Sequence, residues 1–164
     1  MPKTTEIVIN TGPIIALVAA LGDLRVLESL YQRVLVPLEV SNEIHAKASR
    51  KFAMAEFDEA FWLEKRTSPL SITPYLSNSL DLGESSVIQL ALDENIQTVC
   101  IDESAGRRIA RLNGLSLTGS IGILLRAKKE GYSFSMQSAI QRMRNRGVWL
   151  SKKVENFALE KAGK

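Results

Sequence analysis

The chain has 164 residues, 45% of them apolar and 24% charged, with 21 basic against 18 acidic side chains and a formal charge of +3. That length and composition fit one globular domain with a full core and exclude a low-complexity or disordered chain, while the small positive charge is a weak pull towards polyanions and does not specify one. The lone cysteine, Cys100, excludes an internal disulfide, no apolar run is long enough to span a bilayer, and MPKTTEIVIN lacks the apolar stretch of a signal peptide, so a cytoplasmic protein with no membrane attachment is expected.

In chain order, EIVIN at 6–10 has the β-branched density of a short strand. Thr11, Gly12 and Pro13 break it, and IIALVAAL follows as an apolar helix that stops at Gly22, with Asn10 or Thr11 as its cap. Residues 23–31 form a second helix with Leu24, Leu27 and Leu30 on one face. Val34, Leu35 and Val36 are a buried strand halted by Pro37. Helical spacing returns with Val40, Ile44 and Ala48, and Glu43 lies on the edge of that face. A helix is expected over 52–63 and a short strand over 70–73, between Pro69 and Pro74. Asp81, Leu82, Gly83 and Glu84 open the helix SSVIQLALDEN. The run 96–102 is the central strand; it ends in Asp102 and Glu103, and a helix departs at once through Arg107 and Arg108 to stop at Gly114. Residues 115–118 form a last strand, Gly119 and Ser120 start another helix, and two further helices cover 135–146 and 151–161. Strands alternate with helices and no hairpin joins them. The expected fold is therefore α/β, a parallel sheet of roughly five strands between two helical layers. No linker divides the chain, so a single domain over 1–164 is expected, with its core at 6–132 and the C-terminal helices at 133–164.

Polar groups gather at the ends of these strands. If the first and central strands are neighbours at a topological switch point, Asn10, Glu43, Glu84 and Asp102 converge on one cleft. Clustered carboxylates repel one another unless a cation neutralises them, and oxygen ligands of this kind suit Mg²⁺ or Mn²⁺. Each residue also has a purely structural explanation. Asn10, Asp102 and Ser120 are good helix caps, Asp81-x-x-Glu84 is a capping box, and Glu43 fits a solvated helix face. His45 lies two residues from Glu43 and points elsewhere. Trp62 and Trp149 suit packing or an interface. The basic groups Arg126, Lys128, Lys129 and Arg142, Arg144, Arg146 fit RNA contacts or solvated helix ends equally well.

The pieces VINTGPIIAL (8–17), VPLEVSNEI (36–44), LDLGESSVIQLAL (80–92) and the long block 99–132 resemble, in that order, the PIN-domain nucleases, including VapC-type toxins of toxin–antitoxin pairs. The similarity is strongest to a bacterial and archaeal PIN-like subfamily with a Gly-Glu pair, an acidic pair followed by Arg, and Gly-Thr/Ser-x-Gly. Here these are Gly83-Glu84, Asp102-Glu103 with Arg107, and Gly119-Ser120-Ile121-Gly122. The resemblance implies a PIN-like fold and a Mg²⁺- or Mn²⁺-dependent ribonuclease. It makes Glu43, Glu84 and Asp102 the catalytic acids and adds Asn10 to them as a metal ligand. Thr11, Ser120, Arg107 and Arg108 would contact RNA. It also implies an antitoxin as a possible partner and, with the very apolar first two helices, a homodimer. The first acid of the family pattern falls on Asn10, which keeps a carbonyl oxygen but has no charge. Glu103 would partly replace that charge if it turned inward. A catalytically weak PIN-like module that binds RNA or protein is the alternative. A phosphoacceptor receiver domain lacks its acids here, since Thr11-Gly12 and Thr73-Pro74 occupy those places.

Overall fold

The computed structural model describes residues 4–47 and 51–163. Five strands, β1 (Thr4–Ile9), β2 (Tyr31–Val36), β3 (Glu64–Lys65), β4 (Thr98–Cys100) and β5 (Ser116–Thr118), form one parallel sheet in the order β3-β2-β1-β4-β5. Among the described residues ten helices connect and cover it: α1 (Thr11–Leu21), α2 (Arg25–Leu30), α3 (Leu38–Ala46), α4 (Lys51–Glu59), α5 (Pro74–Ser79), α6 (Leu82–Asp93), α7 (Ser104–Leu112), α8 (Ser120–Lys129), α9 (Met136–Asn145) and α10 (Lys152–Ala162). The result is the expected three-layer α/β/α arrangement.

The central strand by position is β1. It pairs with β2 on one side (Val8↔Leu35) and β4 on the other (Val8↔Val99, Ile9↔Cys100). Ile7, Val8 and Ile9 are wholly buried, which explains an apolar run without alternation: both faces of the strand meet helices. The chain leaves β1 towards β2 and returns later to β4, so the strand order reverses between β1 and β4. That crevice is the switch point where open α/β sheets bind ligands.

Several boundaries differ from the sequence expectation. The strand expected at 70–73 does not form. The Leu70 N–H instead donates to Glu39 Oε2 at 2.8 Å and the Thr73 N–H to Gln89 Oε1 at 3.0 Å, so side chains rather than a strand satisfy this segment. The third strand is Glu64–Lys65, joined to β2 through Leu35↔Glu64. The helix expected over 52–63 ends at Glu59, leaving Phe61 89% exposed. The helix expected to run through 31 ends at Leu30, and Tyr31 begins β2. Ala48 lies outside the described residues.

The apolar α1 is accounted for within the chain: it packs on α3, α4, α8 and α9, and residues 13–20 are buried. Gly22 closes it with a left-handed φ of 89°, its N–H bonding the Val18 carbonyl. The basic residues of the C-terminal half are partly structural. Arg142 Nε donates to the Ala20 carbonyl at the end of α1, and Arg126 reaches the Leu30 carbonyl and lies over the Tyr31 ring. Arg144 pairs with the buried Glu155 and ties α9 to α10. Among the described residues no helix is long and apolar enough to cross a membrane.

Candidate metal centre

Each candidate ligand is delivered to the carboxyl edge of the sheet by a different element. Asn10 follows β1 directly. Its N–H continues the sheet pairing to the Cys100 carbonyl at 3.0 Å, and it stands at the N-cap of α1 with extended backbone. Its side chain makes no cap bond. Asn10 Oδ1 and Thr11 Oγ1 are both buried without a hydrogen-bond partner. Glu43 comes from α3 and is half-buried. A Cβ built on Gly83 would lie 3.0 Å from Asn10 Oδ1 and 3.2 Å from Glu43 Oε2, so both oxygens close on the same point of α6.

Asp81 caps α6, accepting the Glu84 N–H at 2.8 Å, as the capping-box spacing predicts. The Glu84 carboxyl itself runs inward against α7, where Oε2 would lie 2.7 Å from a Cβ on Gly106. Glu84 is 5% exposed and Oε2 has no hydrogen-bond partner. Burial, reinforced by the carboxylates of Asp81 and Glu103, pushes the Glu84 carboxyl up to about 7.

Asp102 does not cap the helix that follows it. Glu103 is the N-cap of α7, exposed and without a side-chain cap bond. Asp102 reaches across the crevice to α8 instead: Oδ1 accepts the Ser120 N–H at 2.8 Å and Oδ2 the Ser120 hydroxyl at 2.9 Å. An anion at a helix N-terminus meets unpaired N–H groups and the positive end of the helix dipole, which fixes the carboxylate there. Ser120 is the first residue of α8 and buried, with Gly119 as the cap. Arg107 turns inward too. Its Nη1 donates to the Ile101 carbonyl at 2.7 Å and the Thr118 carbonyl at 3.3 Å, clamping the ends of β4 and β5. Arg108 is exposed.

Asn10, Glu43, Glu84 and Asp102 therefore share one edge, around the β1–β4 crevice, though not one point. Among the described residues no three His, Cys, Asp or Glu side chains stand close enough to hold an ion together. In kind the donors fit a hard divalent cation: three carboxylates and an amide, with the Asn10 and Glu84 oxygens buried and unsatisfied. Sequence reasoning missed two contributors. Asp81 was only a helix cap, yet its charge bears on Glu84. Gly83 and Gly119 were motif letters and Gly106 a spacer, yet a Cβ on each would press on a candidate ligand. Glycines at helix starts that need no unusual backbone are the signal that was available.

His45 stands apart, bonded to the Ser41 carbonyl and to Asp58 on the far side of α3 and α4. Trp62 is half-buried against the core, whereas Trp149 is 82% exposed and packs no core. Burial pushes the Cys100 thiol up, which makes it inert. No curated protein and no solved structure matches the chain. A family model described as a PIN domain matches residues 6–164. The chain belongs to the PIN-domain family, a nuclease-type superfamily whose members generally use divalent metal ions.

Proposed function

We propose that the protein is a divalent-metal-dependent ribonuclease whose centre lies at the β1–β4 crevice. The observation that carries this is two buried, unsatisfied oxygens, Asn10 Oδ1 and Glu84 Oε2, on the sheet edge that also receives the carboxylates of Glu43 and Asp102. Asn10, Glu43, Glu84 and Asp102 would hold Mg²⁺ or Mn²⁺. Such an ion supplies a water of lowered pKa and neutralises the charge that grows on a phosphodiester. Ser120 orients Asp102 through two hydrogen bonds. Thr11, whose hydroxyl oxygen is buried without a hydrogen-bond partner, would bond a water or a phosphate oxygen that entered the crevice. Arg108, exposed one turn beyond Asp102, is the cation available to the RNA backbone; Arg107 contributes through its clamp on the strand ends.

The test is Mn²⁺-dependent cleavage of RNA by wild type and Asp102→Ala. Loss of about 100-fold or more in the variant is expected; equal activity in both sinks the assignment. A second reading, a weakened module that binds RNA or protein, is favoured by the missing charge at Asn10 and by the hold of Ser120 on both Asp102 oxygens. It predicts RNA binding without cleavage and no Mn²⁺ affinity in the wild type. A toxin role, with a small antitoxin protein encoded alongside, and a homodimer using exposed apolar residues such as Phe61 and Trp149 are finer proposals. Co-purification with the adjacent gene product and sedimentation velocity test them in turn.

A further inference from the structure

The ten glycines divide into two sets of five. Gly22, Gly114, Gly131, Gly147 and Gly163 have positive φ, and a Cβ on any of them would meet nothing within 4 Å. They serve the backbone. Gly12, Gly83, Gly106, Gly119 and Gly122 have backbones that alanine adopts freely. Inside a helix alanine would be favoured by up to about 1 kcal/mol. Except at Gly12, a Cβ in this second set would meet another side chain, and at three positions that side chain belongs to the candidate centre.

We propose that Gly83, Gly106 and Gly119 are positioning residues whose missing side chains make the space in which the four candidate ligands sit. A Cβ on Gly83 would press on Asn10 Oδ1 at 3.0 Å and Glu43 Oε2 at 3.2 Å, and on nothing else at that range. One on Gly106 would stand 2.7 Å from Glu84 Oε2 and 2.9 Å from the buried Ile101 side chain. One on Gly119 would stand 2.6 Å from Asp102 Oδ1, the oxygen that accepts the Ser120 N–H, and 3.0 Å from Arg107 Nη1. All four of these distances to ligand oxygens are tighter than ordinary van der Waals contact. At Gly83 the groups that must yield are the ligand oxygens alone; at Gly119 they are a ligand oxygen and the Arg107 guanidinium, and at Gly106 a ligand oxygen and the core side chain of Ile101. The metal-binding part of this inference rests on the function proposed above; the steric part does not.

The steric part is tested on the metal-free protein by a double-mutant cycle. Gly119→Ala is expected to lower the melting temperature of the wild type by about 3 °C. In an Asp102→Ala background, where the crowded oxygen is gone and the Arg107 Nη1 contact and the N-cap position remain, the same change is expected to cost clearly less. Equal losses in both backgrounds would mean that the backbone needs glycine there, and would overturn the cradle. The metal part is read by Mn²⁺ titration. Gly83→Ala and Gly119→Ala are expected to bind at least about 10-fold more weakly, and Gly12→Ala, which meets nothing within 4 Å, as the wild type does. Unchanged affinity in Gly83→Ala, whose contacts are mild enough to leave folding intact, also overturns the proposal. A wild type that binds no Mn²⁺ removes the metal reading, and the cradle then stands or falls on the cycle.

Discussion

Two groups of carboxylates sit on the same sheet and are treated in opposite ways. Across β1, β2 and β3, Glu6 and Glu64 flank the guanidinium of Arg33, which donates to both. The Arg33 hydrogen bonds hold the Glu64 carboxyl below its usual value, and the Arg33 pKa rises in return. At the β1–β4 crevice, burial and then the neighbouring carboxylates of Asp81 and Glu103 push the Glu84 carboxyl up to about 7, and a backbone hydrogen bond at Asp81 offsets this only in part. Arg107, on the adjoining helix α7, spends its Nη1 on backbone carbonyls. A buried acid group without a cation of its own costs stability, so the contrast marks the crevice as a place where the chain leaves charge for something else to balance.

The comparison can be broken at several points. The largest expected effect on stability is at Glu84. A carboxyl whose pKa is raised in the folded state contributes stability in its protonated form. That contribution is complete below about pH 4.5 and is lost as pH rises towards about 7. Metal-free wild type should therefore lose on the order of 3 kcal/mol across that window. Glu84→Gln should abolish the slope and be the more stable protein at pH 8, as measured by urea unfolding against pH. Next comes Asn10→Asp, which adds the missing charge. It should tighten Mn²⁺ binding by about 10-fold, because affinity follows the charge of the ligand set. Calorimetry finding unchanged or weaker binding would remove residue 10 from the centre. The smallest effect is at the paired edge. Arg33→Gln should cost only about 0.5–1 kcal/mol, since its partners are partly solvated. The sign there is opposite: Glu64 is depressed, so its contribution is present above its unfolded pKa and fades as pH falls, and the variant should lose that acid dependence.

What the sequence made legible follows from how local each signal is. The buried runs at β1 and β4 and the capped start of α6 depend on neighbours in sequence, and they appear where expected. The adjacency of β1 and β4 was a condition in the sequence reading, and the pairing Val8↔Val99 meets it. The failures depend on partners far along the chain. Leu70 and Ile72 have strand-like alternation, but Glu39 and Gln89 claim the N–H groups of Leu70 and Thr73. The true β3 is two charged residues at a sheet edge, too short to leave an apolar pattern. Asp102 caps no helix of its own: it accepts the N–H and hydroxyl of Ser120 at the start of α8, eighteen residues on in sequence. No pattern around Asp102 could name Ser120 as its partner. Arg107 looked like a surface cation for the same reason, because the two carbonyls it clamps converge only when β4 and β5 pair.

The claim that the crevice holds a divalent cation is tested most directly by titrating Mn²⁺ into metal-free wild type and Glu84→Gln, followed by electron paramagnetic resonance at about pH 6 and about pH 8. The wild type should bind, more tightly at the higher pH because Glu84 must shed its proton, and Glu84→Gln should bind far more weakly with no pH dependence. Absent binding in the wild type, or equal binding in the two proteins, would contradict the account.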